Sequence, residues 1–217
     1  MKHKKETYLK ILNHFKASQD VIVREFMRKI NNYNDKTFTT NGHSLLLTPC
    51  VGEYTYKDIS FLFPEQKNTD KIILLSELKQ KLEYFPKVDC FDMEQTKCSA
   101  CYGCGNVDYE FNHGRKTFLH SEECPVCEGE GVILTESKTP NGKKDYDDEK
   151  TFMIGDCLFL IDRILELLFV AETLNSDIRV VFKTDTSGHM IFEIDDVILI
   201  LMPCLKNEDS IAVEIKL

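Results

Sequence analysis

Two eight-residue segments of this chain share one pattern of paired cysteines followed by paired glycines. Residues 98–105 are Cys-Ser-Ala-Cys-Tyr-Gly-Cys-Gly and residues 124–131 are Cys-Pro-Val-Cys-Glu-Gly-Glu-Gly, so both fit C-x-x-C-x-G-x-G. A C-x-x-C turn offers two thiolates to one ion, and the glycines let the backbone fold back so that its amides point at the sulfurs. The pattern therefore predicts one tetrahedral zinc ion per chain, with no coordination position left for water. Its predicted ligands are Cys98, Cys101, Cys124 and Cys127.

Three alternatives remain open for this cysteine cluster, and one of them is a chance spacing of cysteines that bind no ion. A redox dithiol uses the same C-x-x-C spacing. In addition, His113 or His120, which lie between the two motifs, can replace one cysteine as a zinc ligand. Cys104 occupies a variable position of the first motif and Cys90 has poor spacing, so neither is assigned as a ligand.

The repeated motif resembles the cysteine-rich zinc region of DnaJ-type co-chaperones, over residues 96–133 only. That family carries four such motifs and two zinc ions, whereas two motifs suffice for one ion. Only the ligand role carries over to the four motif cysteines. The stimulation of a partner chaperone does not, because no His-Pro-Asp tripeptide of a J-domain occurs in the sequence.

The composition favours a soluble globular protein of one domain or two small ones. The chain has 217 residues, of which 42% are hydrophobic and 29% charged. Nine cysteines without an export signal favour a reducing, cytoplasmic location, and no apolar run reaches the roughly 18 residues of a membrane helix. The net charge of −9 disfavours a protein surface that wraps nucleic acid tightly, although it allows a local basic face or a ring around DNA.

Hydrophobic periodicity predicts helices on both sides of the cysteine motifs. Apolar residues at helical spacing occur in residues 5–16, 23–30 and 76–85. A further helix, capped by Asp156, carries apolar residues on more than one side. These helices need an apolar partner surface, which the predicted strands supply.

Short strands are predicted between these helices. The Asn41-Gly42 turn predicts a hairpin, and further strands are expected near Tyr54, at 59–63, at 72–75 and in the last forty residues. Pro140-Asn141-Gly142 predicts a second hairpin turn. The segment between the cysteine motifs, 108–123, has the length of a hairpin or a short arm.

A weak internal echo suggests how the strands are arranged. Residues 44–51 resemble residues 198–205, since both are apolar strands that end in Pro-Cys-aliphatic, although chance similarity is an alternative. We predict an α+β fold with helices packed on antiparallel sheets in two similar halves. The predicted domains are an N-terminal half, 1–95, the zinc module, 96–133, and a C-terminal half, 134–217.

Three segments resemble the bacterial sliding clamp, the beta subunit of the replicative DNA polymerase. Residues 40–45, Thr-Asn-Gly-His-Ser-Leu, resemble that family's T-D-G-H-R-L, and residues 152–205 follow its terminal order of helix, strands and M-P. Residues 72–78 resemble its strand–helix entry. Two family chains of three domains close a ring around DNA. This chain has room for about one such domain plus the zinc module, so a ring needs several copies.

In that family the matching segments line a groove that receives short peptides from polymerases and other partners. The resemblance assigns this role to Gly42, His43, Leu45, Met202 and Pro203. The family's Asp and Arg are Asn41 and Ser44 here, which removes part of the polar lining. We therefore expect His43 and Met202 to lie together at a surface groove.

Three functional hypotheses follow, none of them enzymatic, because no phosphate loop, nucleophile elbow or dinucleotide-binding turn occurs. The first is a clamp-like accessory factor of DNA replication, or of a phage or mobile element. It binds partner peptides, allows DNA as a ligand, forms a homo-oligomer and has no membrane partner. The second is a nucleic-acid-binding module that uses Arg115 and Lys116, with Tyr109, Phe111 and Phe118 as stacking residues. The third is a chaperone-like adaptor that binds unfolded peptide through the zinc arm.

Overall fold

Residues before and after the two cysteine motifs form one unit of the chain, and the motifs themselves lie in a second unit. The computed structural model describes residues 2–19, 22–60, 71–183, 188–205 and 210–217. We call Met1–Pro86 together with Tyr146–Leu217 the sheet unit, and Lys87–Asp145 the cysteine unit. The zinc module expected at residues 96–133 therefore lies inside the cysteine unit.

Among its described residues the sheet unit has three α-helices: α1 (Lys5–His14), α2 (Leu75–Glu83) and α3 (Ile161–Leu174). Each begins after a residue in extended conformation and buries its apolar side chains, as the periodicity predicts. Helix α3 ends at Asn175, whose left-handed conformation brings its N–H to the last carbonyls.

The fifteen described strands are short, except in the cysteine unit. In chain order they are β1 (Asn31–Tyr33), β2 (Lys36–Thr40), β3 (Ser44–Pro49), β4 (Thr55–Tyr56), β5 (Lys71–Ile73), β6 (Lys87–Lys97), β7 (Asn106–His113), β8 (Lys116–Glu123), β9 (Val132–Tyr146), β10 (Thr151–Ile154), β11 (Cys157–Leu160), β12 (Ile178–Lys183), β13 (Met190–Ile194), β14 (Val197–Leu201) and β15 (Ile211–Ile215).

In the part of the chain that the structure describes, the main sheet has eight strands in the order β4-β1-β2-β3-β14-β13-β12-β5. The two strands of the internal echo are hydrogen-bonded neighbours at its centre, where Leu45 pairs with Ile200 and Leu46 with Leu199. Strand β5 comes from before the cysteine unit but pairs with β12, which comes after it. Residues on both sides of the cysteine unit therefore build one sheet.

Side chains of the central strands alternate between two apolar layers. Leu46 and Leu199 belong to the larger cluster, which also contains the buried residues of all three helices. Leu45 and Ile200 belong to a second cluster with Phe38. Strands β3 and β14 are therefore buried on both faces, which explains why each reads as an almost continuous apolar run.

A second sheet changes the prediction at Asp156. Strands β11, β10 and β15 form a three-stranded sheet, and Gly155-Asp156 is the turn between β10 and β11. The helix predicted to start after Asp156 therefore starts at Ile161. The prediction was wrong over residues 157–160 because a short apolar run fits a buried strand as well as a helix.

The amphipathic helix predicted at 23–30 is also wrong. Only the single 3-10 turn Glu25–Arg28 forms there, and the chain is extended on either side of it. Eight residues are too few to hold a helix without tertiary packing. Here the packing leads elsewhere, since Asn31 enters β1 and its side chain donates to the carbonyls of Phe26 and Lys29.

The cysteine unit contains two two-stranded sheets, in which β6 pairs with β9 and β7 runs antiparallel to β8. The arm predicted at 108–123 is the β7–β8 hairpin. The second predicted hairpin turn is wrong, because 140–142 lie inside the continuous strand β9. Gly142 adopts a φ of +80° there, and the Asn141 side chain donates to Asp92 of β6, so a turn-like sequence is held extended by its partner strand.

Two further expectations concern the strand near Tyr54 and membrane-spanning helices. Of the strand pair predicted near Tyr54 and at 59–63, the first appears as β4, which runs parallel to β1. The second is wrong at Ile59 and Ser60, which belong to no strand, and residues 61–63 lie outside the described residues. Within the described residues, no helix combines the length and apolar character needed to cross a bilayer.

Candidate functional site

The two C-x-x-C turns place four sulfur atoms in one buried cluster. The Sγ atoms of Cys98, Cys101, Cys124 and Cys127 all lie within 4.8 Å of one another. The Cys98–Cys124 and Cys101–Cys127 pairs are 3.8 and 3.7 Å apart. A metal about 2.3 Å from each sulfur requires tetrahedron edges of about 3.8 Å. A disulfide requires about 2.05 Å. The four cysteines therefore have the geometry of a metal site.

The backbone around the cluster repeats with the motif. The Cys98 N–H donates to Gly131 O at 2.9 Å, and the equivalent Cys124 N–H donates to Gly105 O at 2.8 Å. The Gly105 N–H points at Cys101 Sγ at 3.3 Å, and the Gly131 N–H points at Cys127 Sγ at 3.2 Å. Each motif thus closes onto the other, and amides face the sulfurs as the sequence predicts.

The electrostatics of the cluster favour a bound cation. Burial raises the pKa of the Cys101 thiol. The N–H groups of Gly105 and Gly103 and the neighbouring thiols lower this pKa by a larger amount, so it falls to about 6. Burial and the neighbouring thiols raise the pKa of Cys127 to about 12, against the Gly131 N–H. The Cys101 thiol therefore ionises more readily than the Cys127 thiol, as expected when negative charges are crowded together. A divalent cation removes this repulsion.

Neither histidine between the motifs reaches the cluster. His113 and His120 lie on the β7–β8 hairpin, where His120 Nε2 contacts Glu122 at 2.9 Å. Among the described residues, the metal-like group there contains the four motif cysteines alone. Cys104 is exposed and contacts the Asn106 carbonyl instead.

A second cluster of ligand-type side chains, His3 with Asp195 and Asp196, is an ion-pair network. Lys2 Nζ and His3 Nε2 contact Asp195, and the Tyr8 hydroxyl donates to Asp196 at 2.7–2.8 Å. The Lys2 ammonium lowers the pKa of Asp195. Asp195 lies in the β13–β14 turn with a φ of +57°. The two aspartates therefore connect the first residues of the chain to this turn.

The sheet unit contains a separate apolar cavity of about 180 Å³ beside the centre of the main sheet. Four of the five residues assigned to a peptide groove line it: Gly42, His43, Leu45 and Met202. Pro203 is not among its lining residues. The Met202 N–H donates to His43 O at 3.0 Å, so the end of β14 and the β2–β3 turn are held together at the cavity.

Sequence reasoning missed the other side of this cavity. It is lined by Phe26 and Met27, which were assigned to a helix, and by Ile59 and Ile200. Ile200 was detectable in principle, because it is the antiparallel partner of Leu45 and projects from the same face. Phe26 and Met27 were not, since they arrive from an irregular segment.

A polar network from α3 holds the β2–β3 turn. The Asn41 side-chain oxygen accepts the N–H groups of His43 and Ser44, while its amide donates to Glu166 at 2.9 Å. Ser44 Oγ also donates to Glu166. Arg163 donates to Ser44 Oγ at 3.0 Å and to Glu166 at 2.6 Å. Asn41 and Ser44, which differ from the Asp and Arg of the clamp motif, therefore both take part in this hydrogen-bond network.

We expect Glu166→Ala to destabilise the sheet unit by about 2 kcal/mol. The substitution removes the largely buried carboxylate that accepts hydrogen bonds from Arg163 and Asn41. The Arg163 and Glu166 side chains are only 15% and 13% exposed. Glu172→Ala is the matched control on the same helix, since its pair with Lys79 is about half exposed and is worth at most about 1 kcal/mol. Urea unfolding measures both, and equal losses would contradict the role of Glu166.

The alternative nucleic-acid residues, Arg115 and Lys116, lie at the tip of the β7–β8 hairpin. Gly114 precedes them with a φ of +64°, which suits the first position of a two-residue hairpin turn. Both side chains are exposed. They belong to the cysteine unit, whereas the cavity residues belong to the sheet unit, so these are two separate candidate sites.

Comparison with known proteins gives a likeness of fold. No protein-family model and no curated protein matches the chain. The DNA polymerase sliding clamp of Bacillus subtilis is 10% identical with a TM-score of 0.50, over 94% of this chain and 62% of that one. The sliding clamp of Pseudomonas aeruginosa is 10% identical, with a TM-score of 0.46 over 93% and 65%. The DNA polymerase III beta chain of Streptococcus pneumoniae is 14% identical, with a TM-score of 0.46 over 94% and 64%.

The fold is therefore like that of the Bacillus subtilis clamp, with helices packed on a mixed β-sheet. The chain spans less than two thirds of the length of each of these clamp chains.

Proposed function

We propose that this chain, with its sliding-clamp-like fold, is a non-enzymatic accessory factor of DNA replication, in a cell or in a phage or mobile element. In this proposal it binds peptides from its partners. The observation that carries the proposal is the cavity. Four residues assigned to the peptide groove by sequence resemblance alone line one apolar cavity in the folded chain.

The size and lining of the cavity suit a peptide side chain. Pockets for drug-sized ligands and cofactors enclose about 300–1,000 Å³, so a cavity of about 180 Å³ is too small for most of them. Its apolar wall is completed by Met27 and Met202, whose flexible thioethers adapt to different apolar side chains. Thr40, His43 and Ser44 are the polar residues of its lining. One anchoring side chain of an extended peptide fits this arrangement.

The peptide site can be tested at Met202, which is 38% exposed and lines the cavity. Peptides selected from a displayed random library against the wild-type chain should bind Met202→Glu at least tenfold more weakly, a cost of about 1.4 kcal/mol. The reason is that a carboxylate in an apolar cavity loses its hydration. Isothermal titration calorimetry gives the affinities.

The control is Leu205→Glu, three residues further along the chain. Leu205 is 91% exposed and is not among the cavity residues, so this variant introduces the same charge outside the site. Selected peptides should bind it like the wild type. If they bind Met202→Glu equally well, or if no peptide is selected, the proposed site is wrong.

We further propose that the cysteine cluster holds one structural zinc ion per chain. Four sulfur ligands in a closed tetrahedron are typical of structural zinc. The buried cluster of the cysteine unit comprises the four cysteines, with Val107 and Ile133 packed against it. So small an apolar core does not hold a unit of this size together without a metal or another cross-link. In this proposal the unit is an insertion that zinc keeps folded, and a homo-oligomeric ring around DNA requires several copies of the chain.

A further inference from the structure

The β7–β8 hairpin has two chemically different faces. Its register pairs Tyr109 with His120, Phe111 with Phe118 and His113 with Lys116. Paired residues in an antiparallel ladder project from the same face, and alternate residues along a strand project from opposite faces. One face, which we call the aromatic face, therefore carries Val107, Tyr109, Phe111, His113, Lys116, Phe118, His120 and Glu122.

Three exposed rings project from the aromatic face. Tyr109, Phe111 and Phe118 are 49%, 62% and 50% exposed. The rings of Phe111 and Phe118 are 6.1 Å apart, and His113 stacks on Phe111 at 6.3 Å with 15° between the planes. A contiguous group of large exposed rings is unusual on a soluble protein surface and indicates a binding site.

The charge on the aromatic face is positive towards the hairpin tip. Lys116 and the turn residue Arg115 lie beside His113. The single carboxylate on this face, Glu122, lies at the opposite end and contacts His120. The rings are therefore bordered at the tip by cations.

The opposite face carries the acidic groups. Asp108, Glu110 and Glu123 alternate with the aromatic-face residues in the same register. Contacts confirm this division, since Asn112 donates to Glu110 at 3.1 Å and Thr117 donates to Asn112 at 2.7 Å. The hairpin thus separates its rings and cations from most of its carboxylates, although residues 87–145 carry seven Lys and Arg against eleven Asp and Glu.

We propose that the aromatic face binds single-stranded nucleic acid, a function beyond the peptide binding proposed for the sheet unit. Unpaired bases stack on the rings of Tyr109, Phe111 and Phe118, while Arg115 and Lys116 neutralise phosphates. A duplex hides its base faces and offers nothing for the rings to stack on. The segregated charges favour a polyanion on this face, and the acidic back of the hairpin orients the strand towards the rings.

The test is fluorescence anisotropy of labelled oligo(dT) and oligo(U), each of about 20 nucleotides, with the full metal-loaded chain. Phe111→Ala and Phe118→Ala should each weaken binding at least about fivefold, since one stacked base contributes that much or more. Leu119→Ala is the matched control, because Leu119 is 76% exposed on the opposite face of the same strand. It should bind like the wild type.

The phosphate contacts have a separate readout. Arg115→Ala/Lys116→Ala should weaken binding and flatten the dependence of log affinity on log salt, by about 0.7 for each phosphate that the variant no longer neutralises. Metal content, measured on every variant, shows that the cysteine unit is intact. Tighter binding of oligo(dT) or of oligo(U) then shows which nucleic acid the face prefers.

Four results would overturn the proposal. The first is that neither oligonucleotide binds at low salt. The second is that Phe111→Ala and Leu119→Ala lose the same amount of binding affinity. The third is that duplex DNA binds as tightly as oligo(dT) and that this binding is insensitive to Phe111→Ala. The fourth is a Phe111-dependent binding of a reduced, unfolded protein without any oligonucleotide binding, which would assign the face to a chaperone-like adaptor.

Discussion

A Cys124→Ser chain should lose the proposed zinc ion and the folded structure of residues 96–133, while the main sheet stays folded. Serine is nearly isosteric with cysteine but lacks the thiolate that zinc requires, so three sulfurs remain around the ion. Removing a hydrogen-bond partner of a metal ligand already costs 10–100-fold in affinity, so the loss of a ligand should cost more than about 100-fold. Because structural zinc binding supplies folding free energy, the unit should unfold with it.

Two measurements separate these effects. Native mass spectrometry should report one zinc per wild-type chain and none in the variant, and the same spectrum reports whether the chains form a closed oligomer. Hydrogen exchange should become fast at Cys98 N–H, whose bond to Gly131 O depends on the closed motifs. It should stay slow at Leu46, which is fully buried in the sheet unit.

Cys104→Ser is the matched control for this prediction. Cys104 belongs to the same motif, but it is exposed and its sulfur contacts a backbone carbonyl rather than the cluster. Its zinc content and hydrogen exchange should equal those of the wild type. Unchanged zinc in Cys124→Ser, or zinc loss in Cys104→Ser, would show that the ligands are wrongly assigned.

The second large effect is expected for Gly131→Ala, which should destabilise the zinc-loaded cysteine unit by about 3 kcal/mol. A Cβ at this position would lie 2.5 Å from Gly103 O and 3.0 Å from Gly103 C, both of them backbone atoms of the facing motif. The two motifs would have to separate, which breaks the Cys98 N–H bond to Gly131 O. The positive φ of +73° adds about 1–2 kcal/mol of strain for any residue with a side chain.

Gly142→Ala separates these two causes. Its φ is +80°, so the backbone strain is matched, but no atom lies within 4 Å of the added Cβ. We expect a loss of about 1–2 kcal/mol and, because zinc binding and folding are coupled, zinc binding that is only about 5–30-fold weaker. For Gly131→Ala, competition with a chromogenic chelator should show zinc binding about 100-fold weaker. If both variants behave alike, the close approach of the motifs is not what requires the glycine.

The local patterns of the sequence identified most elements of the fold. Helices α1 and α2 and the β2–β3 hairpin follow from residues close together in the chain, through apolar periodicity and the Asn41-Gly42 turn. The errors occurred where two local structures compete. Residues 157–160 fit a helix or a strand, and residues 140–142 fit a turn, until a neighbouring strand selects the extended conformation.

The sequence by itself determined the cysteine cluster, because each C-x-x-C-x-G-x-G turn encodes its own geometry within eight residues and the two turns need only meet. Tertiary structure alone decided the cavity and the two faces of the hairpin. The cavity combines Met27, Leu45, Ile59 and Met202, which are far apart in the chain and meet only when β3 pairs with β14. The faces of the hairpin depend on register, since a shift of one residue would place Phe111 among the carboxylates.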